Sequence, residues 1–166
     1  MRPVHLALDP RGTAQLHVLA KVPRRAEPGD HDALVLLSAR RPAGGRVVVR
    51  LRLGVVVTVR APGTVVRRLV LGRLQLAGRR RVLALDIANA GNVTEQLFRV
   101  RTVLSQLSTR RRLETIVASR RELRPRSRGL LELPLRTRAH GPVEAQVVVP
   151  AEHGRPAVRR TYRLRL

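Results

Sequence analysis

Aliphatic side chains fall on every second position over much of this chain, and that period of two limits its fold more than any other feature. In the segment 81–89, Leu83, Leu85 and Ile87 share one side and Asp86 takes the other. In 13–22, TAQLHVLAKV, Ala14, Leu16, Val18, Ala20 and Val22 oppose Thr13, Gln15, His17 and Lys21, with Leu19 the exception. Successive side chains of an extended chain point to opposite faces, so this pattern lays down one apolar and one polar face. No segment carries a 3.6-residue period with caps at both ends.

Strands are therefore predicted over 13–22, 33–39, 46–60, 68–77, 81–89, 96–107, 112–118, 130–137, 141–150 and 156–166. Turn chemistry separates them at PRRAEPGD (23–30), RRPAGG, APG (61–63), Gly78, RELRPRSRG and EHGR. The continuous run ALVLLSA reads as a buried strand. The segment 46–60, RVVVRLRLGVVVTVR, is long for one strand, and Gly54 at its middle predicts a bulge or a bend between two sheets. Many short strands at such spacing point to β-sandwiches. Aromatics are 1% of the chain, Phe98 and Tyr162, so the core must be built from Leu, Val and Ala.

The segment LDIANAGNVTEQLF interrupts a strand with Asn89-Ala90-Gly91-Asn92 and then restarts it. Asn and Gly tolerate the left-handed region, and an Asn side chain can mimic a backbone turn. Asn89, Gly91 and Asn92 are read as a structural corner and not as a ligand set. The run resembles the strand-turn of bacterial immunoglobulin-like domains. VPRRAEPGDHDALVLLSA is similar to their hairpin, and VVVRLRLGVVVTVRAPG to the strand that follows it. The combination resembles the WxL-interacting surface proteins of Gram-positive bacteria and, more loosely, periplasmic pilus chaperones. The resemblance implies an all-β chain of tandem immunoglobulin-like β-sandwiches, the first (1–63) incomplete at its N-terminus and the second spanning 64–166. It also implies a cell-surface adhesion or scaffolding role, with a cell-wall polymer or a surface protein as partner.

Residues 1–63 supply about four strands where a seven-stranded sandwich needs more. The expectation is a fragment, or a mis-called start, of a longer exported protein, or a sandwich completed by a partner's strand at its edge. The opening MRPVHLALDPRG is too short and broken for a signal peptide. No run approaches the ~18 apolar residues of a membrane span.

The formal net charge is +23, and of 34 basic residues only Lys21 is lysine. An anionic partner is the usual meaning of such an excess, although arginine bias in a GC-rich genome contributes to it. Charge is densest at Arg110, Arg111, Arg112, Arg120, Arg121, Arg124, Arg126 and Arg128, the candidate anion-binding face for teichoic acid, lipid headgroups or nucleic acid. The alternative is solvated edges that block strand pairing. Nucleic acid is the less favoured partner, because single-strand binders stack bases on aromatics. A basic cytoplasmic nucleic-acid-binding protein is the competing function.

Catalysis is not expected. No Gly-x-Ser-x-Gly elbow and no Gly-rich phosphate loop is present. The absence of cysteine removes thiol chemistry and every Cys-based metal site. Asp30, His31 and Asp32 are consecutive, so on a strand they point to opposite faces and do not converge on a metal. No cofactor is expected.

Overall fold

A computed structural model describes residues 7–9, 11–38, 52–77, 81–150 and 155–166. Within them every regular element is a β-strand. Chain order is β1 (Gly29–Ser38), β2 (Arg52–Ala61), β3 (Leu69–Ala77), β4 (Val82–Asn89), β5 (Glu95–Leu97), β6 (Arg101–Gln106), β7 (Arg112–Val117), β8 (Arg121–Leu123), β9 (Arg128–Pro134), β10 (Pro142–Val149) and β11 (Val158–Arg165). All pairings are antiparallel. They form a four-stranded sheet β11-β10-β6-β7, a three-stranded sheet β3-β4-β9, and the pairs β1-β2 and β5-β8. No helix long and apolar enough to cross a membrane occurs among these residues.

The period of two becomes the core. Leu83, Leu85 and Ile87 of β4 point inward beside Leu71, Leu74, Leu131 and Leu133 of the same sheet. Leu104, Ile116, Ala145, Val147 and Val149 of the four-stranded sheet join them in one buried cluster. This arrangement is compatible with a β-sandwich. The layer is aliphatic, with Tyr162 packed at its edge, so cohesion rests on close packing of Leu and Val. Truncating one such leucine to alanine costs about 2–5 kcal/mol.

Several local expectations are corrected. Residues 13–22 form no strand despite their alternation. Periodicity sorts side chains between faces, but a strand also needs a neighbour for its backbone groups, and this segment has none among the described residues. Residues 33–38 of the ALVLLSA run lie within β1, yet they are not buried: Leu34 and Leu36 are 59% and 62% exposed. Gly54 makes no bulge; it pairs in unbroken register with Leu36. A glycine suits this position because a Cβ there would lie 3.2 Å from Leu34 Cδ1. Residues 39–51, including the start of the predicted 46–60 strand, lie outside the described residues, as do Gly78 and most of EHGR. Register shifts occur instead in β3, between Leu71 and Leu74, and in β6, between Leu104 and Ser105. The predicted 96–107 strand is divided at Arg99, whose φ of 48° breaks the extended backbone. The RELRPRSRG loop contains β8.

Candidate functional site

The β1-β2 hairpin stands apart from the larger sheets, and its base meets the Asn89–Asn92 corner. Asn89 ends β4 with only 1% of its surface exposed. Its Nδ2 donates to the carbonyls of Val93 (2.8 Å) and Leu123 (3.0 Å), and its Oδ1 accepts from the Gly91 N–H (2.9 Å). One side chain thus closes its own turn and ties the end of β8 to it. The 66–68 backbone runs along the corner: the Ala90 N–H donates to Arg68 O (2.7 Å) and the Asn92 N–H to Val66 O (2.8 Å). That approach requires glycine at 91, where a Cβ would sit 2.3 Å from Val66 O.

Asn92 carries the connection to the hairpin. Its Nδ2 donates to Pro28 O (2.9 Å) and Thr64 O (2.8 Å), one carbonyl on each side of the hairpin. Its Oδ1 accepts from the Val66 N–H (2.7 Å), and its own carbonyl accepts from the Asp30 N–H (2.8 Å). Gly29, at φ 123°, lets the chain pass against this carbonyl.

Asp30 adds an electrostatic tie. Its carboxylate is 2% exposed and takes the Arg60 guanidinium in two bonds, Nε to Oδ1 at 2.6 Å and Nη2 to Oδ2 at 3.1 Å. Oδ2 also accepts from the Thr94 N–H at 2.8 Å, across to the chain just before β5. The Arg60 hydrogen bond lowers the Asp30 pKa below its ordinary value; burial opposes this, and the Thr94 N–H reinforces it. The same partnership raises the pKa of Arg60. Asp32 accepts from Thr58 Oγ1 (2.6 Å), and His31 Nε2–H donates to Glu27 O (2.8 Å). Asp30, His31 and Asp32 are therefore each engaged separately. No group of three His, Asp or Glu side chains suited to a metal occurs among the described residues.

The eight candidate arginines do not form one surface. Arg110 and Arg111 sit on the β6-β7 turn and Arg112 opens β7. The others cluster beyond the far end of β7, which is roughly 17 Å long from Arg112 to Val117. Arg120 stacks over Phe98 (4.5 Å to the ring centroid) and donates to Gln96 Oε1. Arg124 pairs with Asp32 (3.3 Å) and Arg126 with Glu27 (2.8 Å), so two of the cations are used against the hairpin. Arg121 lies in β8 and Arg128 opens β9. The two exposed pairs contribute little stability each, but together with the Asp30–Thr94 hydrogen bond they make three contacts at one junction.

Glu95 forms a second buried anchor. Its side chain is 1% exposed and lies between Arg155 Nη2 (2.9 Å) and Arg67 Nη1 (3.5 Å). It joins β5 to the approach to β11 and to the segment before β3. Sequence reading did not single out Glu95, Asp30 as a tie, or the Asn92 partners. The only local signal was an acid on an otherwise apolar side of the chain, as at Glu95 between Val93 and Leu97.

Comparison with protein-family models, curated proteins and solved structures finds no match for the chain.

Proposed function

We propose that this chain is a non-catalytic, extracytoplasmic scaffold module of a bacterial cell surface, built on tandem immunoglobulin-like sandwiches of which the first is completed by a partner. The carrying observation is the β1-β2 hairpin. One of its faces presents Leu34, Leu36 and Val56; the other presents Val35, Leu37, Leu53, Val55, Val57 and Val59. A strand pair apolar on both faces has the composition of an interior sheet, and an isolated two-stranded hairpin is marginal in water. Contiguous exposed aliphatic surface of this kind marks an interaction site. Among the described residues neither outer edge of the pair has a neighbouring strand, so a partner's strand can extend the sheet through backbone hydrogen bonds while its side chains cover the aliphatic faces. The Asn92 and Asp30 ties hold the hairpin out from the larger sheets for that purpose.

The test is co-sedimentation with purified cell walls that retain their surface proteins. The wild-type chain should pellet with the walls, and the variant Leu34→Ser/Leu36→Ser, altered only at exposed positions, should stay in the supernatant. Equal sedimentation of both would remove the hairpin from the account. The competing reading, a cytoplasmic nucleic-acid binder, draws on the net charge of +23; retention on nucleic acid with none on walls would replace the scaffold reading with it.

A further inference from the structure

The geometry points to the outer face of the four-stranded sheet as a binding surface for a linear, base-free phosphodiester polymer of the poly(glycerol phosphate) type. Pairing register sets which side chains share this face. Arg159, Thr161, Arg163 and Arg165 of β11 lie opposite Val148, Gln146, Glu144 and Pro142 of β10. Those in turn lie beside Arg101, Val103 and Ser105 of β6, which neighbour Val117, Thr115 and Arg112 of β7. The inward positions, Val143, Ala145, Val147 and Val149, are buried, so the alternate set faces solvent. Five guanidiniums, Arg101, Arg112, Arg159, Arg163 and Arg165, thus share a surface with one carboxylate, Glu144. All five arginines are exposed, and none enters an ion pair among the described residues.

Genomic arginine bias does not produce this distribution. The outer face of the three-stranded sheet is balanced, with Arg73 and Arg128 against Asp86 and Glu132. Among the described residues the positive charge is concentrated on the face of the four-stranded sheet. Its arginines are spaced along and across strands: Arg163 and Arg165 are roughly 7 Å apart by strand rise, and Arg159 and Arg101 roughly 10 Å apart across β10. An array at such intervals suits an extended chain of single negative charges. Arginine's planar fork favours phosphate oxygens, which it can bind bidentately. The face holds no aromatic ring, because Tyr162 turns toward the core. Bases therefore have nothing to stack on, which favours a polyol phosphate over a nucleic acid.

This inference rests on the reading of the chain as a binding module, but on a surface distinct from the hairpin. The experiment measures binding of a fluorescent ten-unit poly(glycerol phosphate) to the full chain by anisotropy at two salt concentrations. Wild type should bind, with affinity falling as salt rises. Arg159→Ser/Arg163→Ser should weaken binding about 10- to 30-fold, from roughly one near-surface charge contact each. Arg101→Ser/Arg112→Ser should weaken it comparably. Arg110→Ser/Arg111→Ser, with the same change in net charge but on the β6-β7 turn, should lose less than about 3-fold. Leu34→Ser/Leu36→Ser should keep wild-type affinity, so that failure of the hairpin reading and failure of this one are told apart. Equal losses in all three arginine pairs would show diffuse charge and overturn the proposal. So would absence of wild-type binding, tighter binding of a ten-nucleotide single-stranded DNA, or capture by anionic lipid vesicles without capture of the polymer.

Discussion

Replacing Asn92 by alanine removes three side-chain hydrogen bonds, to Pro28 O, Thr64 O and the Val66 N–H. Each is worth about 1 kcal/mol net. Asn92 is only half-buried, so water takes over part of the bonding and the loss falls to about 2 kcal/mol. The backbone bonds through the Asn92 carbonyl and N–H survive the change. The cost is therefore confined to the hairpin base, where local opening should become about 30-fold more frequent. Hydrogen exchange resolved by peptide should show this acceleration across 29–38 and 52–61 while β4 and β10 keep their rates. Asn89→Ala is the contrasting variant three residues away. It leaves the Gly91 N–H and the Val93 and Leu123 carbonyls without their buried partner, which costs about 3–5 kcal/mol and lowers the urea midpoint of the whole chain. The reasoning is refuted if Asn92→Ala leaves hairpin exchange unchanged, or lowers the urea midpoint as much as Asn89→Ala does.

Two further outcomes follow from the buried carboxylates. Asp30 has a lowered pKa in the folded chain, so its contribution is complete above the ordinary value of 3.8 and is lost as pH falls through the depressed one. Hairpin amide signals followed by NMR in acid should lose their folded positions in wild type, whereas Asp30→Asn should show weaker anchorage with no such acid step. Glu95→Ala strands Arg67 and Arg155, both largely buried, and should cost about 3 kcal/mol by urea denaturation; a loss under about 0.5 kcal/mol, typical of an exposed pair, would contradict the buried-anchor assignment.

The core was legible because each part of it is local. Leu83, Leu85 and Ile87 alternate with Asp86 whatever the rest of the chain does. Exposure was not legible at Leu34 and Leu36, since an apolar run shows what a strand could bury and not whether a neighbour covers it. The alternation of 13–22 misled for the same reason. At the corner, Asn89 and Gly91 were readable from turn chemistry. The partners of Asn92 were not: Pro28 and Thr64 lie 64 and 28 positions away along the chain. The arginine-dense run 110–128 is split by the fold between the β6-β7 turn, the two sheet faces that take Arg112 and Arg128, and the hairpin junction. Arg101, Arg159, Arg163 and Arg165 are scattered in sequence and gather only once the order β11-β10-β6-β7 is known.

The scaffold account depends on the hairpin being held by the corner as one body with the larger sheets. Amide residual dipolar couplings measured in a weakly aligned sample test this most directly. A single alignment tensor should fit β1 and β2 together with β4, β9 and β10, with a through-hydrogen-bond coupling between the Asp30 nitrogen and the Asn92 carbonyl carbon. Two independent tensors, with that coupling absent, would contradict it.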